Sequence, residues 1–423
     1  MGWNWNGRTI KRLLKPSHVN HSKHVTRVGT IMAPEAEEEI LCNKLIRRNI
    51  TIPGCRETNP DDCSRSYFLH LPSILCKQQN SSDAGDIPFD TLPLVFAIHC
   101  FGCPAMTMYN SFVQHTNEHN SVLVVPEGIK KSFNARYCCG YALENNVDDV
   151  GFISTIQSTL SEQYDFIHSR YTYATGWSNG GFMVMHASKL FRAIAPISGF
   201  IGDIDVAKMK RGDESSGKGL FIHHGKDDPF VRPTGCCHDP SLPKCCCNIA
   251  ADTCTGVIDV AKNWAIQVNG CHNDEHLLLE TSYADTDEGI QCLTATNCTA
   301  NTTICLYDHS GHFNQMSFDT AFPMANEVMN FFAGEACEIN NGKWDRISKT
   351  CSCHSKFSGT FCLDESAVSK MKKIDPYFSR FFVMMASLVM LVLASCVMMR
   401  KQRRRHGKRK GEYAKVEEDD IEM

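Results

Sequence analysis

The sequence predicts an α/β protein built on a mainly parallel sheet with helices on both faces. Short apolar runs rich in β-branched residues have the length of buried strands, and they alternate with segments of helical periodicity. Because buried strands that alternate with helices form parallel sheets covered on both sides, the predicted class is α/β. The strand runs are Leu94–Ile98, Val122–Val125, Tyr173–Thr175, Ile194–Ile197 and Leu220–Ile222, and the helical segments are Val147–Leu160, Phe182–Phe191 and Ala325–Phe332.

The composition is that of a globular protein. The chain has 423 residues, 43% of them hydrophobic and 21% charged. A single α/β domain of about 250 to 300 residues fits within this length, with segments left over at both ends. The formal net charge of -4 gives no indication of a nucleic-acid partner.

The 23 cysteines indicate an oxidising compartment. One of them, Cys396, lies in a long apolar run, and the others are spread from Cys42 to Cys362. Such density is typical of secreted chains and difficult to maintain in the cytosol. Zinc ligation by the adjacent cysteines of 236–247 is the alternative, but they lack the C-x₂-C spacing of zinc sites, so no metal site is predicted. Five N-x-S/T sequons agree with a secretory route: Asn20, Asn49, Asn80, Asn297 and Asn301.

Residues 381–399 form an apolar stretch without a charge, and it predicts a transmembrane helix. As a helix it is about 28 Å long, close to the hydrocarbon thickness of a bilayer. Residues 400–410 carry eight Lys or Arg, against four in the stretch before the helix. The positive-inside rule therefore places the tail 400–423 in the cytoplasm and residues 1–380 on the extracellular or lumenal side.

The N-terminal residues do not fit this orientation without a further assumption. A chain that is exported in this way is expected to begin with a signal peptide, but residues 1–23 contain no apolar segment. Either the start of the sequence is incorrect, or the apolar helix itself directs insertion. We expect the first, because the second would leave the cysteines of the main domain in the cytosol.

The predicted organisation has six parts. Residues 1–40 are basic and then acidic with little apolar periodicity, which is typical of a disordered segment. The main domain covers 41–335, and a cysteine-rich unit covers 337–362. A juxtamembrane stalk at 363–380, the membrane helix at 381–399 and a basic then acidic cytoplasmic tail at 400–423 complete the chain.

Residues 337–362 contain four cysteines, Cys337, Cys351, Cys353 and Cys362, in a pattern that ends in C-x-C-x₈-C with Gly359. This pattern resembles the second half of an EGF-like module, with two of the usual six cysteines missing. The resemblance implies the pairs Cys337–Cys351 and Cys353–Cys362. A unit of this size is too small for its own hydrophobic core and would depend on disulfides.

The segment GWSNG at 176–180 predicts a nucleophilic serine. It is a G-x-S-x-G sequence between a strand and an amphipathic helix. The sharp strand-to-helix turn requires small flanking residues, and it exposes the hydroxyl of Ser178 above the sheet at the N-terminus of the helix. A glycine-rich turn with a capping serine is the structural alternative.

A nucleophilic serine requires a base and an acid that orients the base. In the chain order Ser, Asp, His, the candidates are Asp228, after the strand in GLFIHHGKDDPFV, and His312, after the strand in CLYDHSGHF. Asp227 remains an alternative acid and His309 an alternative base. His223 and His224 are interpreted as core histidines or as further alternatives.

An oxyanion hole requires backbone N–H donors, which the sequence shows only through the position of loops. The loop after the early strand at 94–98 begins IHCFGCPA, and it supplies one candidate donor, the N–H of Phe101. The second candidate is the N–H of Asn179, directly after the proposed nucleophile.

Eight segments together resemble the polyhydroxybutyrate depolymerase and feruloyl esterase family of α/β-hydrolases. They are RSYFLHLP (65–72), LVFAIHCFGCPA (94–105), FNARYCCG (133–140), NVDDVGFI (146–153), GWSNGGFM (176–183), HHGKDDPFV (223–231), WAIQVNGC (264–271) and SGH (310–312). The resemblance covers about residues 60–332. It implies an α/β-hydrolase fold with Ser178 as nucleophile, Asp228 as acid and His312 as base.

The sequence departs from this family in the loop of the candidate oxyanion hole. Cys100 and Cys103 stand where the family usually has glycine, and cysteine adopts positive φ less readily. We expect one of these two cysteines to be bonded to Cys138 or Cys139. The family's VDDVGF segment places Asp148 and Asp149 at a helix start, where we interpret them as N-capping residues and not as catalytic ones.

The sequence therefore predicts a membrane-anchored serine carboxylesterase that requires no cofactor and no metal. The resemblance implies either feruloyl esters on a polysaccharide or a polyhydroxyalkanoate as substrate, and we favour polymer-linked hydroxycinnamoyl esters. A lipase or peptidase of the same fold, and a cell-surface binding protein that has kept the hydrolase scaffold without activity, are the alternatives.

Overall fold

The structure is a computed structural model, and it describes fifteen segments of the chain. They are residues 42–55, 60–79, 92–136, 138–202, 217–235, 255–272, 277–281, 289–295, 298–312, 324–339, 343–345, 348, 350–352, 357–358 and 364–365. The chain divides into a unit of residues 1–364 and a unit of residues 365–423, and all elements below except the last residue of β14 belong to the first.

Fourteen strands occur in the described segments. They are β1 (Leu45–Thr51), β2 (Ser64–His70), β3 (Leu92–Ile98), β4 (Val122–Pro126), β5 (Ile167–Trp177), β6 (Ala193–Ile197), β7 (Gly219–Gly225), β8 (Leu278–Thr281), β9 (Ile290–Ala295), β10 (Thr302–Tyr307), β11 (Lys343–Asp345), β12 (Thr350–Ser352), β13 (Phe357–Ser358) and β14 (Asp364–Glu365).

Seven α-helices are described with them. They are α1 (Ile74–Gln79), α2 (Met106–Glu118), α3 (Gly140–Glu144), α4 (Asp149–Gln163), α5 (Asn179–His186), α6 (Val257–Gln267) and α7 (Met324–Ile339), together with short 3₁₀ turns at Pro60–Cys63 and Ser188–Leu190.

Ten strands form one sheet in the order β1-β2-β4-β3-β5-β6-β7-β10-β9-β8. The six central strands, from β4 to β10 in this order, are parallel to one another. The strands at both ends of the sheet pair antiparallel. The prediction of a mainly parallel sheet is confirmed, and all five predicted strand runs lie in it.

Two hydrophobic clusters cover the two faces of this sheet. Along β3, Leu94, Phe96 and Ile98 belong to the cluster that contains residues of α4, α5 and α6. Val95 and Ala97 belong to the cluster that contains residues of α2 and α7. Because successive side chains of a strand point to opposite faces, β3 is apolar at every position and buried on both sides.

The predicted helices are present with different ends. The pattern at Val147–Leu160 corresponds to α4, which begins at Asp149. The pattern at Phe182–Phe191 is divided, because α5 ends at His186 and a 3₁₀ turn follows. A 3₁₀ turn keeps i, i+3 neighbours on one side, so the apolar spacing continues after the helix has ended.

Seven disulfides join described cysteines: Cys42–Cys76, Cys55–Cys63, Cys100–Cys103, Cys138–Cys139, Cys271–Cys298, Cys292–Cys305 and Cys337–Cys351. The expected cross-link between 100 or 103 and 138 or 139 is wrong, because each of these cysteines is bonded within its own loop. The paired cysteines are three positions apart in one loop and one position apart in the other, and spacing alone does not specify connectivity.

The cysteine-rich unit is described only in part. Cys337 lies on α7 and is fully buried, and its partner Cys351 lies on β12, which pairs with β11. Trp344 of β11 packs against α7, with its ring 3.1 Å from the position that a Cβ on Gly334 would occupy. Cys353, Cys362 and the insertion 236–254 lie outside the described residues.

The predicted membrane segment 381–399 also lies outside the described residues, as do residues 1–41 and the tail. None of the seven described helices combines the length and the apolar character that a membrane crossing requires.

Candidate active site

Ser178 lies at the carboxyl end of the central strand β5, on the turn into α5. Its backbone has φ 54° and ψ −115°, a conformation that non-glycine residues adopt only under constraint. The Ser178 N–H donates to the carbonyl of Ile197 on β6 at 2.8 Å. A Cβ at Gly180 would collide with the carbonyl of Ile98, and one at Gly176 would collide with the carbonyl of Gly180. Both glycines are therefore required for the serine to occupy this turn.

His312 connects Ser178 to Asp228. Its Nε2 lies 2.8 Å from the Ser178 Oγ, and its Nδ1 lies 2.7 Å from Asp228 Oδ2. An ionised carboxylate can only accept, so Nδ1–H donates to Asp228 and Nε2 accepts the serine hydroxyl proton. All three side chains are buried, with exposed fractions of 6% or less. The structure thus brings the three predicted residues into one hydrogen-bonded chain.

Asp228 is held by the turn that follows β7. Its Oδ1 accepts the backbone N–H groups of Phe230 and Val231, each at 2.9 Å. The other oxygen, Oδ2, faces His312 and lies 3.6 Å from Nε2 of His224. Since both oxygens have donors, the carboxylate cannot rotate away from His312 without losing hydrogen bonds.

The alternative acid Asp227 and the alternative base His309 take no part in these hydrogen bonds. The Asp227 side chain is 65% exposed and His309 is 98% exposed, and they face one another at 3.9 Å. His224 donates from Nε2 to the carbonyl of Val231 at 2.6 Å, and burial lowers its pKa while Asp228 raises it. His223 lies 2.6 Å from the Tyr307 hydroxyl, and burial lowers its pKa to about 3. His223 is therefore neutral near pH 7, and His224 is a core histidine held by the turn that carries Asp228.

Trp177 is a site residue that the sequence did not indicate. Its Nε1–H donates to the backbone carbonyl of His312 at 3.1 Å. The residue that precedes the nucleophile thus holds the loop that carries the base. Trp177 occupies a variable position of the G-x-S-x-G pattern, so no sequence signal marks this contact.

The loop after β3 is braced by backbone contacts and by His99. Its Nδ1–H donates to the carbonyl of Cys100 at 2.8 Å, and its Nε2 accepts the N–H of Gly128 at 2.9 Å. Burial lowers the pKa of His99 to about 4, so the ring is neutral and can accept this hydrogen bond. The N–H of Gly102 donates to the carbonyl of Lys131, and the Cys100–Cys103 disulfide closes the loop.

The two candidate oxyanion donors follow the ends of two neighbouring strands at equivalent places. Ile98 of β3 is paired with Gly176 of β5, and Phe101 and Asn179 each follow three residues later. Asn179 is the first residue of α5, where the amide N–H has no acceptor within its own helix. The Phe101 side chain is 52% exposed, which leaves this loop open to solvent.

The Asn179 side chain has a second role that the sequence did not indicate. Its Oδ1 accepts the N–H of Phe133 at 2.8 Å, and its Nδ2 donates to the carbonyls of Phe133 and Cys138 at 3.0 and 2.8 Å. The residue after the nucleophile is thereby attached to the loop that carries the Cys138–Cys139 disulfide.

The two aspartates at the start of α4 have different surroundings. Asp148 is the N-cap and accepts the N–H of Gly151 at 2.7 Å, as predicted. Asp149 points inward, where it binds Arg65 of β2 at 2.8 Å and the N–H of Asn134 at 2.6 Å. Arg65 is 84 residues away in the chain, so local sequence could not reveal this buried ion pair.

Within the described segments, no group of three or more His, Cys, Asp or Glu is placed to hold a metal ion. The site consists of a serine, an imidazole and a carboxylate in hydrogen-bonding order at the carboxyl edge of a parallel sheet. This order and the strand–turn–helix around Ser178 are those of the α/β-hydrolase arrangement. Chemically, the three groups can serve as nucleophile, general base and orienting acid.

Comparison with known proteins found no matching family model and no matching curated relative. Among solved structures, an acetyl xylan esterase from Aspergillus awamori is 14% identical, with a TM-score of 0.40 over 68% of this chain and 99% of that one. Est1E from Butyrivibrio proteoclasticus is 12% identical, with a TM-score of 0.34 over 68% and 98%.

The feruloyl esterase module from Clostridium thermocellum, complexed with sinapinate, is 13% identical, with a TM-score of 0.30 over 44% of this chain and 68% of that one. All three TM-scores lie below 0.5. The assignment of the site therefore depends on the described geometry and not on these likenesses.

Proposed function

We propose that this protein is a serine carboxylic ester hydrolase that acts through an acyl-enzyme. The single observation that carries the proposal is the hydrogen-bonded chain from Ser178 through His312 to Asp228. His312 takes the hydroxyl proton as Ser178 Oγ attacks the ester carbonyl, and Asp228 stabilises the resulting imidazolium. The alcohol leaves with the proton from His312, and water then releases the acid from the serine.

The backbone N–H groups of Phe101 and Asn179 are the proposed oxyanion donors. Both follow strands that pair directly, so both are placed to donate to the carbonyl oxygen of an ester bound at Ser178. Donors that are held in place before the reaction stabilise the developing charge without reorganisation. The bracing of this loop by His99 and the Cys100–Cys103 disulfide supports that role.

The proposed substrate is an ester linked to a polymer, with hydroxycinnamoyl esters of polysaccharides ahead of polyhydroxyalkanoates. This choice is supported by the sequence resemblance across residues 65–312, which includes the segments around all three proposed catalytic residues. A panel of methyl ferulate, hydroxybutyrate oligomers, simple p-nitrophenyl esters and peptides, tested on the full chain, separates the candidates by relative kcat/KM.

The proposed location is the outer face of a membrane, with residues 381–399 as the anchor and the tail in the cytoplasm. Seven disulfides in the described part of the chain support an oxidising compartment for the main domain. Protease treatment of intact cells or sealed vesicles tests this orientation. Digestion of the main domain from the cytoplasmic side would contradict it.

The decisive experiment is labelling of the detergent-solubilised full chain with a fluorophosphonate, which reacts with activated serines. We expect one adduct, on Ser178, and a loss of about 10⁵ to 10⁶ in kcat for Ser178→Ala. Ser198→Ala is the control, because Ser198 is also buried and also follows a strand of the sheet. A wild-type chain without an adduct would favour a binding protein that lacks activity.

A further inference from the structure

Three large apolar side chains are exposed in the described part of the chain: Leu45 at 40%, Phe101 at 52% and Phe230 at 50%. Leu45 lies on β1, the outermost strand of the sheet. The other two lie at the carboxyl edge, in the loops after β3 and β7. Single exposed apolar residues are common on protein surfaces, but two of three beside one buried serine require an explanation.

Phe230 lies beside the proposed general base. Its ring centroid is 5.4 Å from that of His312, with the two planes tilted by 59°. Its backbone N–H donates to Asp228 Oδ1, so the turn that orients the carboxylate also determines where this ring lies. The ring is therefore attached to the acid and base and not to a separate loop.

Phe101 lies on the other side of the nucleophile. In the sheet, β3 and β7 lie on opposite sides of β5, so the loops that carry Phe101 and Phe230 flank Ser178 from two directions. The Phe101 ring lies against Gly140, whose φ is +65° and where a Cβ would collide with the ring. Glycine at 140 leaves the space that the ring occupies.

The reaction places the two halves of an ester at these two rings. The alcohol oxygen must lie within reach of His312 Nε2, because His312 returns the proton to the leaving group. The carbonyl oxygen must lie at the N–H groups of Phe101 and Asn179. The alcohol group therefore begins beside Phe230, and the acyl group begins beside Phe101.

We propose that the Phe230 ring forms a subsite that packs against the alcohol, either an apolar alcohol or the C–H face of a sugar, and that the Phe101 ring forms an apolar subsite for the acyl group. This inference rests on the proposed function. In the acylation step the bond from Ser178 Oγ to the carbonyl carbon forms and the bond from that carbon to the alcohol oxygen breaks. The serine proton passes through His312 to the alcohol, and no group is oxidised or reduced.

The test uses the full chain and two series of esters followed by pH-stat titration. The alcohol series compares methyl, butyl and 2-phenylethyl acetate. The acyl series compares methyl acetate, methyl butyrate and methyl 3-phenylpropionate. The variants are Phe230→Ala, Phe101→Ala and, as the matched control, Leu45→Ala, which removes the third exposed apolar side chain.

The expected result is a crossed pattern. Phe230→Ala lowers the kcat/KM ratio of phenylethyl to methyl acetate by about tenfold, the size expected for one lost aromatic contact, and changes the acyl ratio less. Phe101→Ala lowers the ratio of methyl phenylpropionate to methyl acetate by a similar factor and changes the alcohol ratio less. Leu45→Ala leaves both ratios at the wild-type value.

The inference is overturned if both phenylalanine variants keep the wild-type ratios, or if each variant lowers both ratios equally. Labelling of Ser178 by a fluorophosphonate separates this failure from that of the proposed function. If Ser178 is labelled but the ratios are unchanged, the proposal of the two subsites is wrong and the proposed esterase function stands. If the wild-type protein is neither labelled nor active on any ester, the proposed esterase function itself is wrong.

Discussion

The two sides of Ser178 are held in place by different means. On the side of β7 and β10, Asp228 and His312 are joined to the serine by side-chain hydrogen bonds of 2.7 and 2.8 Å, and two backbone N–H groups hold Asp228. On the side of β3, the loop of Phe101 is fixed by backbone contacts, by His99 and by a disulfide. We therefore expect mutations on the first side to change the chemistry and mutations on the second side to change the geometry.

The largest effect is expected on the acid side. Asp228→Asn removes the negative charge and favours the wrong imidazole tautomer, so kcat/KM should fall by about 10⁴ with the fold intact. The measurement is ester hydrolysis together with circular dichroism.

Asp227→Asn is the matched control for this substitution, because Asp227 is the adjacent aspartate and its side chain is 65% exposed. It should retain activity within about twofold of wild type, as surface substitutions usually have small effects. Equal losses in the two variants would contradict the assignment of Asp228.

A smaller effect is expected on the oxyanion side. Replacing both Cys100 and Cys103 by serine opens the loop that carries the Phe101 N–H. Loss of one oxyanion donor costs about 10² to 10³ in kcat, and a displaced donor should cost less, about tenfold to 100-fold. The steady-state measurement should show a lower kcat with little change in KM.

The control removes the Cys55–Cys63 disulfide, which lies between β1 and β2 at one end of the sheet. This double serine variant should lower the urea midpoint, since removal of a native disulfide costs about 2 to 5 kcal/mol, but it should keep kcat. An unchanged kcat in the Cys100/Cys103 variant would show that the loop is held without its disulfide.

The smallest effect concerns the pH dependence of stability. Burial lowers the pKa of His99 to about 4, below the value of 6.5 that applies when the chain is unfolded. As pH falls, the unfolded chain binds the proton first. The contribution of neutral His99 is therefore complete above pH 6.5, is lost as pH falls from 6.5 toward 4, and does not fall further below that.

His99→Gln should reduce the loss of stability between pH 6.5 and 4 by about 1.4 kcal/mol per pH unit, the value for one proton. Urea unfolding at pH 7 and pH 5 measures this difference. His309→Gln is the control, because His309 is 98% exposed, and it should keep the wild-type slope. An identical slope in the His99 variant would show that His99 is not buried as described.

The same contrast explains what could be predicted from the sequence. The five strand runs could be predicted because they consist mostly of successive apolar residues. The turn at Ser178 could be predicted because it requires glycine at 176 and 180, where a Cβ would collide with backbone carbonyls. Ser178, Asp228 and His312 could be identified because each comes after a predicted strand and because they occur in the chain order Ser, Asp, His. Contacts between segments that are distant in the sequence could not be predicted, and the ion pair of Arg65 with Asp149 is the clearest case.

The cysteines show the same limit from another direction. Their number predicted disulfides, but four cysteines near the site allow three pairings, and the expected cross-link between the loops was wrong. The two aspartates of α4 are equally instructive. They are adjacent and chemically identical, yet Asp148 caps the helix and Asp149 is buried against an arginine that is distant in the sequence.

The disulfide between α7 and β12 has a mechanical consequence. Tension applied to the chain beyond Ser352 reaches Cys351 and then passes through the sulfur atoms to Cys337, bypassing residues 338–350. The force therefore acts on the domain near the end of α7, whose side chains belong to the hydrophobic cluster that α7 shares with α2. Pulling would therefore strain the interior and leave the intervening residues without load, because the disulfide carries the force past them.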